Sequence, residues 1–346
     1  MARGIHEAPG DRYCAHGAAG GQGHSASRTK DEGGSTRIPE VTVIMSVYNG
    51  MPYLPEAVDS ILGQTFQDFT FLIINDGSTD ETGEYLTRLK DPRVRVVPQS
   101  NRGQGVARNV GLGMCESEFV AIMDADDVAF PARLEAQLRF LRDQREVGMV
   151  GTQYRYLGNS GQSGFSPPMP CDHETIMADL LRGRLSLHNP SLMCRTLILK
   201  EVGGYRIDRK GEDWDMYLRM GEATRLANLK EVFYLYRLHT SSENARVLAQ
   251  VRTQQAYSCN CAKRRAKGKP EITFDEFLAE QNARPLWQRV ADAMDTYAVR
   301  QYRLALKEIL DYERCKGYAR LMWAAMSSPR WTSQRILREC RKKSRS

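Results

Sequence analysis

No stretch of this chain approaches eighteen consecutive apolar residues, so nothing in it reads as a membrane-spanning helix. Paired cysteines are missing too. The eight cysteines are scattered, no C-x-x-C occurs, and Cys259 and Cys261 are the only close ones. That spacing gives neither a disulfide framework nor a zinc site and favours a reducing cytosol. Also absent are an internal repeat, a recognised nucleic-acid module and a signal peptide, since residues 1–37 are rich in Gly, Ser and His and lack an apolar segment. The expectation is a soluble or peripheral protein, cytoplasmic, with no nucleic-acid partner.

What is present is a chain of 346 residues, 41% apolar, enough for one large domain with appendages or two smaller ones. The net charge of +7 is uneven: residues 261–269 (CAKRRAKGK) and 335–345 (RILRECRKKSR) carry much of it. A solvated basic face explains such runs; attraction to anionic lipid headgroups or a charged polymer is the main competitor.

Residues 1–38 are too polar and glycine-rich to form a core and are expected to be disordered, with His6, His16 and His24 incidental. From Val41 strand-like runs alternate with helical ones: 41–47 (VTVIMSV), 69–75 (FTFLIIN), 94–99 (VRVVPQ), 119–123 (FVAIM) and 147–157 (VGMVGTQYRYL), each but the last followed by an amphipathic segment. This predicts an α/β fold, a mixed, mostly parallel sheet flanked by helices. In such sheets ligands sit beyond the carboxyl ends of the strands. Ser46, Tyr48, Asn49, Asp76, Asn101, Asp124, Asp126 and Asp127 should therefore converge. Alternation is lost over 158–187; a short strand and helix follow in HNPSLMCRTLILKEVGGY, then a helix in GEDWDMYLRMGE and a strand ending at His239. Beyond about Ser241 the chain reads as helical and basic, interrupted near Pro270, Pro285 and Pro329.

FVAIMDADDV ends a buried strand in three carboxylates, for which three explanations exist. A carboxylate before Pro131 could cap the next helix, which accounts for Asp127 but not for all three. An apolar run followed by DxD also fits a phosphatase of the haloacid dehalogenase type, with Asp124 as nucleophile and Asp126 as acid/base. Alternatively the carboxylates are hard oxygen ligands for Mg²⁺ or Mn²⁺. The DxD by itself does not choose between the last two.

The upstream segments do. Three strand–helix units precede the DxD, whereas that phosphatase type usually has its nucleophile on the first core strand. VTVIMSVYNGMPYLPEAVDSILGQTFQDFTFLIINDGSTDET, NRGQGVARNVGL and FVAIMDADDVAFPARL, in that order, resemble the family 2 glycosyltransferases of GT-A fold. The likeness runs from Val41 to about His239. It implies an inverting transfer from a nucleotide-diphosphate donor, a UDP-sugar, to a hydroxyl of a glycan or lipid-linked saccharide. The resemblance further implies that Ser46, Tyr48, Asn49 and Asp76 hold the nucleotide, Tyr48 by stacking and Asp76 by accepting a base N–H. Asp124 would lie near the ribose, with Arg108 at the diphosphate or ribose. Asp126, Asp127 and His239 would meet a divalent metal, Mn or Mg. The same resemblance identifies GEDWDMYLRM as the ED motif, with Asp213 the general base, Glu212 its neighbour, and His188 and Trp214 in the acceptor region. Trp214 could pack on a sugar ring or simply anchor its helix.

The expected organisation is thus a disordered segment over 1–38, a catalytic domain over 39–240 and a basic helical extension over 241–346. The extension either packs on the catalytic domain or docks on the inner membrane face. Absence of a QxxRW segment and of spanning helices speaks against a processive synthase. A non-catalytic nucleotide-sugar binder is the other rival, and it would need no base. Sugar-phosphate nucleotidyltransferases share the layered architecture but would show a Gly-rich loop with a basic residue where this chain has SVYNGMPYL.

Overall fold

The computed structural model describes residues 29–30, 36–164, 166–207, 211–239 and 248–333. The expected disorder over 1–38 falls almost wholly outside these residues, as do the three N-terminal histidines, the junction at 240–241 and the basic run at 335–345.

The first half follows the sequence pattern closely. Strands β1 (Val41–Val47), β2 (Phe69–Asp76), β3 (Val94–Gln99) and β4 (Phe119–Asp124) alternate with helices α1 (Leu54–Leu62), α2 (Thr82–Thr87) and α3 (Gln104–Met114). These four strands are parallel in the order β3-β2-β1-β4. The run VTVIMSV is apolar at nearly every position because both faces of β1 are covered. Val41, Val43 and Met45 join the core under α1 and α4 (Arg133–Asp143), while Ile44 faces the opposite layer. On that layer α3 approaches so closely that a Cβ on Gly111 would lie 2.8 Å from Ile44 Cγ2; only glycine admits this contact.

The second half is less regular. A two-residue strand β5 (Val128–Ala129) leads into α4; then come β6 (Val147–Leu157), β7 (Ser163–Gly164), α5 (His173–Leu180), β8 (Met193–Arg195), α6 (Thr196–Glu201), α7 (Glu212–Ala223) and β9 (Arg225–Arg237). The sheet continues from β4 as β8-β6-β9-β5, with β7 beside β6; β8 runs antiparallel between β4 and β6, and β9 is parallel to β6. The buried face of α7, with Trp214, Tyr217 and Leu218, closes the second core.

The extension is helical, as expected: α8 (Leu248–Arg265), α9 (Phe274–Asn282), α10 (Leu286–Leu310) and α11 (Arg314–Ser327). Cys259 and Ala262 of α8 belong to the same core as α7. Its last turn-over, at 311–313, has no proline to announce it; Tyr312 takes a left-handed φ of 69° there. The far end of α10 returns to the sheet. Leu310 covers Gly158 and Gly164, Ser160 Oγ donates to its carbonyl (2.7 Å), and Asn159 N donates to Asp311 Oδ1 (2.9 Å).

β8 is only three residues long, and the carbonyls around it receive donors from side chains as well as from the ladder, as at Leu192, whose carbonyl also accepts from Ile122 N (2.9 Å). Two side chains on α4 supply the donors. Arg133 is fully buried; its Nη2 donates to the carbonyls of Ile122 (2.7 Å) and Leu192 (3.2 Å) and its Nε to Gln137 Oε1 (3.1 Å). Gln137 Nε2 in turn serves the carbonyls of Val150 (2.9 Å) and Ser191 (2.8 Å). Burial pulls the guanidinium down to about 10, still charged at neutral pH. Arg133→Met keeps the bulk but removes the guanidinium donors to the Ile122 and Leu192 carbonyls and to Gln137 Oε1. The expected loss is about 3 kcal/mol in urea unfolding, with the slope on denaturant unchanged.

Candidate functional site

The order in which strands are added reverses at β1: β2 and β3 lie to one side of it and β4 to the other. Ser46 and Asp124 stand opposite each other in that register, at the carboxyl ends. Loops diverging from such a point leave a crevice.

On its β2 side the crevice wall is braced by loop-to-loop hydrogen bonds. Asn49, at φ 51°, accepts from Thr79 N on Oδ1 (2.8 Å) and donates its own backbone N–H to Ser78 Oγ (3.0 Å); Gly50 N donates to Thr82 Oγ1 (2.8 Å). Tyr48 leaves half of its surface exposed. Asp76 is buried. Its carboxylate accepts from Gln99 Nε2 (2.7 Å) and from the backbone N–H groups of Arg102 (2.9 Å) and Gly103 (2.8 Å), and so holds the start of α3. Asn101 is exposed nearby.

From α3 a buried guanidinium reaches the centre. Arg108 Nη2 donates to Asp124 Oδ1 at 2.8 Å, its Nη1 lies 3.5 Å from Glu212 Oε1, and it faces the Tyr205 ring at 5.5 Å. Burial opposes its charge, but Asp124, Glu212 and Asp213 outweigh that and hold its pKa above the ordinary value. Asp124 is pushed up, first by burial and then by Asp126 and Asp213, against the pull of Arg108.

The three carboxylates of the DxD loop do converge: one oxygen from each of Asp124, Asp126 and Asp127 lies within 4.8 Å of the others. Asp126 Oδ2 is 2.8 Å from His239 Nε2. Asp127 is fully buried; Oδ1 accepts from Arg237 N (2.8 Å), while the buried Oδ2 has no hydrogen-bond donor. The capping explanation for Asp127 is therefore not met: α4 begins two residues after Pro131, its N-cap position is Ala132, and no side chain caps it. Burial, then Asp126 and Asp124, raise Asp127 well above the carboxylate range. Three crowded carboxylates, one with a buried oxygen lacking a donor and one meeting an imidazole, form a donor set that fits Mn²⁺ or Mg²⁺.

Across Arg108 lies the start of α7. Glu212 is turned inward onto Arg108, while Asp213 is half-buried, accepting from Trp214 N (2.8 Å) and the Tyr217 hydroxyl (3.3 Å). Burial raises the Asp213 pKa, opposed by Arg108. Trp214 is 2% exposed and packs in the second core, so it anchors α7 and offers no face to a sugar. His188 is also buried, stacked on Tyr154 at 4.5 Å with Tyr236 edge-on at 4.8 Å; burial and then Arg133 and Arg303 pull it down to about 3, so it is neutral.

Several participants went unseen in the sequence. Arg237 binds the DxD loop through its backbone N–H and through Nε, which donates to the Asp126 carbonyl (2.7 Å); its guanidinium stacks over Tyr53 at 4.7 Å and pairs with Glu56. Tyr53 also packs against His239, ring centroids 4.9 Å apart. The signal for Arg237 was its spacing of two from His239, which in a strand puts both on one side. For Tyr217 it was the helical i,i+4 spacing from Asp213.

The model of the family described as "Glycosyl transferase family 2" matches residues 42–202. The O-antigen biosynthesis glycosyltransferase WbnJ of Escherichia coli is 30% identical over 215 residues, 60% of this chain and 84% of that protein. Glycosyltransferase GlyG of Streptococcus pneumoniae is 27% identical over 219 residues, 58% of this chain and 72% of the relative. Among solved structures, S. aureus TarS 1–349 in complex with UDP-GlcNAc superposes with a TM-score of 0.55 at 18% identity, covering 83% of this chain and 91% of that one. These matches do not favour the phosphatase reading of Asp124.

Asp124 and Asp127 hold a proton more tightly in the folded chain than in the unfolded one. Stability from protonation is thus gained as pH falls through their raised values, and above them the repulsion remains unless a cation offsets it. The rise in Tm on adding Mn²⁺ is expected to be larger at about pH 8 than at about pH 5.5, and largely lost in Asp126→Ala. Differential scanning fluorimetry reads both; an equal rise at the two pH values contradicts the assignment.

Proposed function

The chain belongs to glycosyl transferase family 2 and is a glycosyltransferase of GT-A fold, and from that premise we propose an inverting, metal-assisted transfer of a sugar from a UDP-sugar to a hydroxyl of a glycan or lipid-linked saccharide. The observation that carries this reading is Arg108, which touches the carboxylate cluster through Asp124 and the ED helix through Glu212. Donor end and acceptor end of a displacement are thereby held side by side.

In this reading the exposed Tyr48 ring stacks on the base, and Asp76 offers a second lone pair to a base N–H while keeping α3 in place. Ser46 and Asn49 line the same wall. Arg108, with Asp124, faces the ribose and diphosphate; a guanidinium suits phosphate oxygens through its planar fork of donors. Asp126, Asp127 and His239 would hold the divalent ion. When bound, that ion supplies Lewis-acid neutralisation of the departing diphosphate.

The base is assigned to Asp213 rather than Glu212. Glu212 is spent on Arg108 in the interior, whereas Asp213 is half-buried and retains a lone pair on each oxygen. Its raised pKa strengthens it as a base, while the hydrogen bonds from Trp214 N and Tyr217 orient it. It would take the acceptor hydroxyl proton as that oxygen attacks the anomeric carbon from the face opposite the diphosphate. UDP-GlcNAc in the TarS complex supports a UDP-linked donor here. The setting proposed is the cytoplasm, in peripheral contact with the inner membrane face, where a lipid-linked acceptor is reachable.

Calorimetric titration of UDP and GDP, with Mn²⁺ and then EDTA, tests the donor site: UDP binding is expected with Mn²⁺ only, and absent in Asp126→Ala. Silence from both nucleotides in Mn²⁺ removes the donor reading. Asp213→Asn is expected to retain UDP binding while kcat falls by about 10²–10⁴; turnover equal to wild type rejects Asp213 as base.

A further inference from the structure

Nine of the sixteen large apolar side chains exposed among the described residues lie on α10 and α11. Scattered single cases are ordinary on a soluble protein, whereas a contiguous patch marks an interaction surface. On α10, Leu286, Val290, Met294 and Tyr297 follow helical spacing along one stripe; on α11, Tyr318, Met322 and Met326 do the same, with Trp323 alongside. The stripes meet in an open groove of about 570 Å³ lined by Val290, Met294, Tyr297, Trp323 and Met326. There Trp323 Nε1 donates to the Tyr297 hydroxyl at 3.1 Å.

We propose that this face of the α10–α11 hairpin docks on the surface of an anionic lipid bilayer. The proposal deepens the peripheral setting given above by naming the surface that makes it. Composition is the first argument: Trp and Tyr with polar edges, together with long flexible Met, suit the boundary between headgroup and acyl chain. Charge is the second. Arg289 and Arg300 are exposed and follow Leu286 and Tyr297 by three positions, which places them along one edge of the stripe. The acidic groups of the hairpin are turned to partners instead: Asp292 to Arg284, Asp295 to Ser328 and Glu308 to Arg320. Past Ser333, outside the described residues, the sequence adds Arg335, Arg338, Arg341, Lys342, Lys343 and Arg345 against a single Glu339.

No described helix is long and apolar enough to cross a bilayer, so the mode is adsorption. The hairpin also reaches the site. Asp311 holds Asn159, Asn159 Oδ1 accepts from the Tyr53 hydroxyl (3.2 Å), and Tyr53 packs on His239.

The test is co-sedimentation of the full chain with phosphatidylcholine vesicles, with and without phosphatidylglycerol, together with tryptophan emission. Wild type is expected to pellet with the anionic vesicles and shift its emission to the blue. Val290→Glu/Met326→Glu, both solvent-exposed positions, should stay in the supernatant while keeping an unchanged circular dichroism spectrum and Mn²⁺-dependent UDP binding. Arg289→Gln/Arg300→Gln should lower partition by about 30-fold at low salt. Wild type that binds UDP but ignores anionic vesicles overturns the docking and leaves the transferase reading standing; vesicle binding without UDP binding does the reverse. A wild-type dimer in sedimentation velocity that the glutamate pair disperses, without vesicle binding, assigns the face to a second copy and overturns the proposal.

Discussion

One buried cation, Arg108, sets the terms for the rest of the site. It lies among Asp124, Glu212 and Asp213, with Asp126 and Asp127 just beyond. In an interior of low dielectric that concentration of carboxylates would be strongly self-repelling. Arginine is the side chain that cannot relieve the strain by losing its proton. Its position is fixed from both directions. Asp76 ties down the start of α3, Gly111 lets α3 lie against β1, and Tyr205 receives the guanidinium on its ring face. Beyond Asp124, Asp126 meets the His239 imidazole and Asp127 the Arg237 backbone N–H, and among the described residues neither carboxylate pairs with a guanidinium, so a cation of charge +2 would offset the crowding there.

The same logic separates the two ends of the sheet. The parallel half satisfies its backbone through long, regular ladders, and its loops are free to carry ligand groups. The other half is held by a short antiparallel strand, and Arg133 and Gln137 add side-chain donors to the carbonyls around it. Two arginines, both almost wholly buried, therefore do different jobs: Arg108 balances carboxylates at the crevice, and Arg133 bridges the Ile122 and Leu192 carbonyls beneath it.

Legibility in the sequence followed this division. β1 to β4 and the helices between them were readable to within a few residues because each is a buried apolar run bounded by turn residues, and the local pattern and tertiary environment agree. The clustering of Asp124, Asp126 and Asp127 followed from their place at a strand end. The insertion of β8 between β4 and β6 was not readable, since three residues carry no periodicity and the pairing is set by distant strands. Trp214 shows the other limit: an aromatic after an acidic pair suits a sugar platform or a helix anchor equally, and only packing decides. For Asp127 a cap before Pro131 and a metal contact were both open from the sequence; its hydrogen-bond partner lies 110 residues away on β9, a pairing that local spacing does not reveal.

The seat of Leu310 on Gly158 and Gly164 bears on how such enzymes can be recombined. A Cβ on either glycine would come within 2.8 Å of Leu310 atoms, so the notch and the side chain that fills it are matched across 150 residues of chain. Neither piece can be exchanged by itself: a foreign β6–β7 turn with larger residues would eject the hairpin, and a foreign hairpin would leave the notch open to water. Residues 158–164 and 310–311 are therefore to be exchanged together, so that the notch keeps the side chain that fills it.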